Sequence, residues 1–209
     1  MKLSFRVLLA LLLLFGCSYA HGQTYIKLNG AYALLGVINP QAEFALSDRM
    51  AFQAELVFSP WKSVRWKGTD YPMRIFVVSN ELRRYFRASN DGWYLGLNYG
   101  AQGFNMTKPE LFNGKPRLSG HTGKGWGVQT GLAIGYEHAF AQRWLLDVYG
   151  SFGYQISWYN SYLLDGTIED YPHGHDPNAP HDPWNASAEW GPNKIGVSIG
   201  YLLFKKKPL

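Results

Sequence analysis

The sequence predicts an all-β protein: an eight-stranded antiparallel up-and-down transmembrane β-barrel with short periplasmic turns and long outer loops. Three observations predict it. Apolar and polar residues alternate with period two in segments bounded by Gly, Pro, Asn and Asp. The connections between these segments alternate between tight turns and long stretches. The composition is 16% aromatic, with 8 Trp and 14 Tyr, holds 23 Gly in 209 residues, and is only 17% charged, against roughly a quarter in ordinary soluble domains.

The chain opens on Lys2 and Arg6, then an apolar run from Val7 to Phe15. That run is shorter than the ~20 residues a spanning helix needs. Ser18-Tyr19-Ala20 follows with small residues at the spacing a signal peptidase reads, so residues 1–20 are predicted to be a removed secretory signal and 21–209 a single barrel domain. Leu14-Phe15-Gly16-Cys17 resembles a bacterial lipobox, a rival route through acylation of Cys17, but Phe15 stands where a small or β-branched residue is usual. Cleavage after Ala20 would leave no cysteine, which excludes disulfides, thiolate metal ligands and a thiol nucleophile. The formal charge of +5 falls to +3 without Lys2 and Arg6, and Lys205, Lys206 and Lys207 supply three of the remaining positives. The body is near neutral and carries no basic stripe with interleaved aromatics, so nucleic acid is not expected as a partner.

The eight strands are expected at Tyr25–Leu35, Ile38–Ser47, Met50–Trp61, Met73–Phe86, Gly92–Met106, Gly125–Phe140, Trp144–Tyr159 and Asn193–Phe204. Tight turns fall at Asp48-Arg49, Arg87 to Asp91 and Ala141-Gln142-Arg143. The opposite ends carry Lys62–Pro72, Thr107–Lys124 and Asn160–Pro192, which grow progressively longer; only the connection near Gly36-Val37 is short. Short turns at one end, long loops at the other and an even strand count are the plan of an outer-membrane barrel.

The two faces decide which side is out. In the sixth strand Trp126, Val128, Thr130, Leu132, Ile134 and Tyr136 oppose Gly127, Gln129, Gly131, Ala133, Gly135 and Glu137. The fifth and eighth strands repeat the pattern, with Trp93, Leu95, Leu97, Val197 and Ile199 on the apolar face. A soluble barrel would turn the apolar face inward. A solvated β surface, however, favours Thr, Lys and Glu, not glycines alternating with single large polar residues. That mixture suits the crowded interior of a narrow barrel. Trp93 and Trp144 follow short turns, while Trp61, Trp126 and Trp158 lie at the long-loop ends, as two interfacial girdles would require.

Asn80-Glu81-Leu82-Arg83-Arg84-Tyr85-Phe86 resembles the Pro-Glu-x-Arg-Tyr-type fourth strand of a family of small bacterial outer-membrane β-barrels, a domain of unknown function frequent in Gram-negative gut and oral anaerobes. Lys27 and Asn29, Gly92-Trp93-Tyr94-Leu95-Gly96, Gly131-Leu132-Ala133-Ile134-Gly135-Tyr136, Arg143-Trp144-Leu145-Leu146-Asp147 and Gly191-Pro192-Asn193-Lys194-Ile195-Gly196 extend the resemblance over about Tyr25 to Phe204. The family has no established activity, so the resemblance implies fold and location only.

Parity places Lys27, Glu43, Glu55, Glu81, Arg83, Glu137, Asp147 and Lys194 on the inner side, where buried charges must be paired. Arg83 can engage a carboxylate through two parallel hydrogen bonds. The expected outcome is an ion-pair network that plugs the interior; a proton or small-ion path is the sharper alternative. His173, His175, Asp176, His181 and Asp182 could ligate a transition metal, but the Pro-rich segment around them does not preorganise ligands, so no metal or cofactor is expected. No Ser–His pair shares a strand face and no phosphate-binding Gly-rich loop occurs, so no catalytic residue is assigned. The expectation is a non-enzymatic outer-membrane barrel with periplasmic termini and a structural or surface-interaction role. Its expected partners are outer-membrane lipid and lipopolysaccharide, with the outer loops available to surface proteins or host molecules. A lipid-modifying enzyme and a narrow channel or apolar-ligand carrier are the alternatives.

Overall fold

The computed structural model describes residues 23–110, 117–167 and 185–204; the expected signal segment 1–20 and Cys17 lie outside them. The described elements are β1 (Thr24–Asn29), α1 (Gly30–Leu34), β2 (Pro40–Ala45), β3 (Met50–Phe58), β4 (Ser63–Trp66), β5 (Thr69–Tyr85), β6 (Gly92–Glu110), β7 (Arg117–Phe140), β8 (Trp144–Leu163) and β9 (Asn185–Phe204). All strand pairings are antiparallel, and the nine strands form one sheet. Each strand of the wall pairs with its neighbours in sequence, and β1 pairs with β9, so the sheet closes into a ring. The ring uses eight strands, because β3 pairs directly with β5 while β4, among the described residues, pairs only with β5.

Three sequence expectations change. The first strand stops at Asn29 instead of running to Leu35. The Asn29 side chain accepts from the backbone N–H groups of Ala31 and Tyr32 at 3.0 and 3.4 Å, which caps a short helix. Ala and Leu favour that helix, and Gly36 at φ +70° ends it, where a Cβ would collide with the Trp61 ring. Next, Lys62–Pro72 is not an open loop. Lys67 and Gly68 both take positive φ (49° and 85°), the geometry of a two-residue type I′ turn, and join β4 to β5 as a hairpin. Finally, β6, β7, β8 and β9 run well past their expected loop-side ends, so that Glu110 pairs with Arg117, His121 with Leu163 and Asn185 with Tyr159. The wall is therefore uneven: β1 and β2 have 6 residues each, whereas β7 has 24.

Burial alternates along the strands in the turn-side half of the ring. In β5, Ser79, Glu81, Arg83 and Tyr85 are buried while Val78, Leu82 and Arg84 are exposed. The inner face at the turn end is closed by Tyr25, Leu145 and Leu202, with Ala51, Tyr85, Tyr94 and Tyr149 forming a second apolar cluster. No helix among the described residues is long and apolar enough to cross a membrane.

Candidate functional site

The inner face gathers polar side chains from all eight strands of the ring. Alternation dictates which residues point inward, and the ring's closure brings strands that never pair into contact. At the turn end, Glu43 (β2), Glu137 (β7) and Asp147 (β8) present carboxylate oxygens within 4.8 Å of one another. Two cations stand among them. Lys27 Nζ donates to Glu43, to Glu137 and, at 3.0 Å, to Asp147. Arg83 Nη1 lies 2.8 Å from an oxygen of each of the three, and Arg83 Nε donates to Glu81 at 2.7 Å. The side chains of Lys27, Glu43, Glu81, Arg83, Glu137 and Asp147 are all 0% exposed.

Neutral donors complete the shell. Tyr85 Oη donates to Glu43 at 2.6 Å and to Glu137 at 2.8 Å, Asn90 Nδ2 donates to the same two carboxylates, and Tyr94 Oη donates to Asp147 at 3.0 Å. The Arg83 guanidinium carbon lies 4.3 Å from the centre of the Tyr94 ring, a cation–π contact. Space for these rings comes from glycine: a Cβ at Gly135 would overlap the Tyr94 phenol, and one at Gly96 would come within 2.9 Å of the Glu81 carboxyl.

A second layer lies toward the loop end. Lys194 pairs with Glu81 at 2.8 Å and Glu55 at 3.2 Å, and Ser79 donates to Glu55 at 2.8 Å. A third layer is uncharged: Asn98 donates to Ser151 at 2.6 Å, Ser151 to Asn193 at 2.6 Å, and Asn193 back to Asn98 at 3.2 Å.

The eight ionisable residues expected on the inner side thus all lie there, buried and joined in one network through Glu81. One detail differs. Arg83 does not grip a single carboxylate with a two-pronged fork; its Nη1 serves three acceptors and its Nε a fourth, because the carboxylates converge on it from separate strands. The three clustered carboxylates have the donor set of a hard-cation site, yet the ammonium and guanidinium already occupy the space between them. What the arrangement does chemically is pair buried charges with opposite ones and fill the cross-section of the ring.

The family described as "protein of unknown function (DUF3575)" matches residues 7–203. The chain belongs to this family. No curated protein and no solved structure matches it.

In this DUF3575 chain the residue roles therefore rest on geometry. Tyr85, Asn90 and Tyr94 are functional parts of the network that the sequence analysis missed. Tyr85 shares the parity of Glu81 and Arg83, and Tyr94 that of Asn98, so strand alternation carried the signal for both. Asn90 sits in a turn at φ 64°, where no alternation applies. His173, His175, Asp176, His181 and Asp182 lie outside the described residues.

Proposed function

We propose that this DUF3575 chain is an integral β-barrel of a bacterial outer membrane, with a plugged interior and a structural or surface-interaction role. The observation that carries the reading is the inversion of the usual pattern: charged groups fill the inside and large apolar residues cover the outside. Leu132 is 70% exposed and Trp93 56%, in a continuous field with Leu95, Leu97, Ile134 and Ile199. Removing that much apolar surface from water is the strongest force available to the molecule. Hydrocarbon is the environment that removes it without a second protein.

The dimensions agree. Registered aromatic rows bound the field at both ends: Trp126 on Trp158 (centroids 4.5 Å) toward the loops, and Trp93 on Tyr136 (5.3 Å) and Trp144 on Tyr201 (5.1 Å) toward the turns. Along β7, Trp126 and Tyr136 are ten residues apart, about 34 Å at the usual rise of an antiparallel strand. At the ~40° tilt of a closed ring that is about 26 Å along its axis, the height of an outer-membrane apolar band. Thr130 lies inside the band, and its hydroxyl is satisfied by the Asn98 carbonyl at 3.0 Å. Arg84, near the turn end, has the length to carry its charge to the interface.

The buried, mutually paired charge cluster supports a rigid scaffold over a conduction path, since eight strands leave an interior filled by side chains. The ring would then hold its long connections on the cell exterior, with the chain ends and short turns in the periplasm. Membrane fractionation tests the reading. The chain should sediment with outer membranes and migrate faster on gels when unheated; recovery as a soluble periplasmic monomer would overturn it.

A further inference from the structure

The outer wall carries, at its loop end, a set of side chains that the interior plug does not use. Strand register places Arg74 beside Asn105 and Asn105 beside Lys124. Two residues closer to the turns, Phe76 flanks Gly103 and Gly103 flanks Trp126. Below these, Val78, Ala101 and Val128 form the next row. Reading downward, the wall passes from cations, through aromatics, to aliphatics. Gly103 and Ala101 on β6 form a low floor between taller walls on β5 and β7, which stand two strand spacings, about 10 Å, apart. The upper part of this depression is an outward-facing trough of about 620 Å³, with Arg74, Phe76, Gly103, Asn105, Lys124 and Trp126 in its lining.

Packing does not force the glycine here. A Cβ at Gly103 would meet nothing within 4 Å, whereas one at Gly135 would run into a buried ring. The charges are also unspent: Arg74 and Lys124 are exposed and make no ion pair among the described residues, and no carboxylate stands in the three rows.

We propose that this trough binds one acylated lipid of the surrounding leaflet through its anionic phosphate. The proposal rests on the membrane reading, which puts the Trp126 row at head-group level. Arg74 supplies a planar fork and Lys124 a point charge for the phosphate oxygens, with the Asn105 amide between them. An acyl chain descends over Gly103 and Ala101 between Phe76 and Trp126.

The test uses the full chain folded in nonionic detergent and native mass spectrometry with dioleoylphosphatidylglycerol as the probe. Dioleoylglycerol, which has the chains without the phosphate, is the comparator, and inorganic phosphate is the competitor. Wild type should retain the phosphatidylglycerol about tenfold better than the diacylglycerol, as charge-assisted hydrogen bonds imply. The double variant Arg74→Gln/Lys124→Gln should lose that preference. Gly103→Leu, which keeps both cations and fills the floor, should lower retention of both lipids. Equal retention by wild type and the double variant overturns the proposal. So does full displacement by millimolar inorganic phosphate, which would mark a free-phosphate site. Vesicle flotation of each protein separates the two readings: a chain that floats without lipid preference refutes the trough alone, while a folded chain that never floats refutes the membrane reading itself.

Discussion

Arg83 is the residue on which the interior turns. It reaches Glu43, Glu137 and Asp147 on three strands and Glu81 on its own. Arg83→Ala would leave Lys27 alone among three mutually close carboxylates. Breaking a buried ion pair costs about 3–5 kcal/mol, and we expect a loss of that order, read as a lower urea midpoint for unfolding from vesicles. A variant as stable as wild type would refute the plug. Tyr85→Phe keeps the ring and deletes one hydroxyl that donates to two buried carboxylates. The expected loss is smaller, about 1–3 kcal/mol, and the same titration measures it. At this scale the site was largely legible. Alternation alone sorts charged residues onto the inner face, because a one-residue slip would flip every side chain. It cannot report height along the axis, so it names the members of the network without saying which of them touch. Asn90, in a turn, was beyond it altogether.

Among the elements, the loop end differs most from expectation, for a common reason. Where strands leave the band, apolar and polar residues no longer alternate, yet backbone pairing continues from β5 to β8 with polar residues on both faces. Periodicity senses burial, not hydrogen bonding, so it ended the strands too early. Conversely it extended the first strand through Ala31–Leu35, where the cap from Asn29 and the positive φ of Gly36 turn the chain into α1. Gly36→Val should be poorly tolerated, since it adds backbone strain to a collision with Trp61. We expect destabilisation of about 1 kcal/mol or more, checked by the thermal midpoint against a Gly68→Ala control, which carries the same positive-φ strain without a collision. The strands of the band provide the sharper contrast. Leu132→Arg, at mid-height on β7, should cost about 2–4 kcal/mol in a bilayer. In a water-exposed wall the same change would cost almost nothing, so a null result would show that the apolar face does not meet lipid.

For the molecule as a whole, the seam between β1 and β9 has a consequence in time. It sets Thr24 opposite Phe204, so the ring is completed by residues from the two ends of the described chain. The pairings of β5 through β8 join strands adjacent in sequence and can form early, whereas closure between distant strands carries the largest loop entropy. The seam is also short, with β1 contributing six residues. Assembly should therefore pass through an open, curved sheet whose β9 edge remains unpaired until the end. A fluorophore–quencher pair across the seam, at Leu28 and Ile199, should report later than a pair at Leu132 and Phe152 on the adjoining β7 and β8. During that interval the exposed edge is a template for another strand, so a chain that stalls before closure would be captured by its neighbours, and the speed of the last pairing would set how much of it survives.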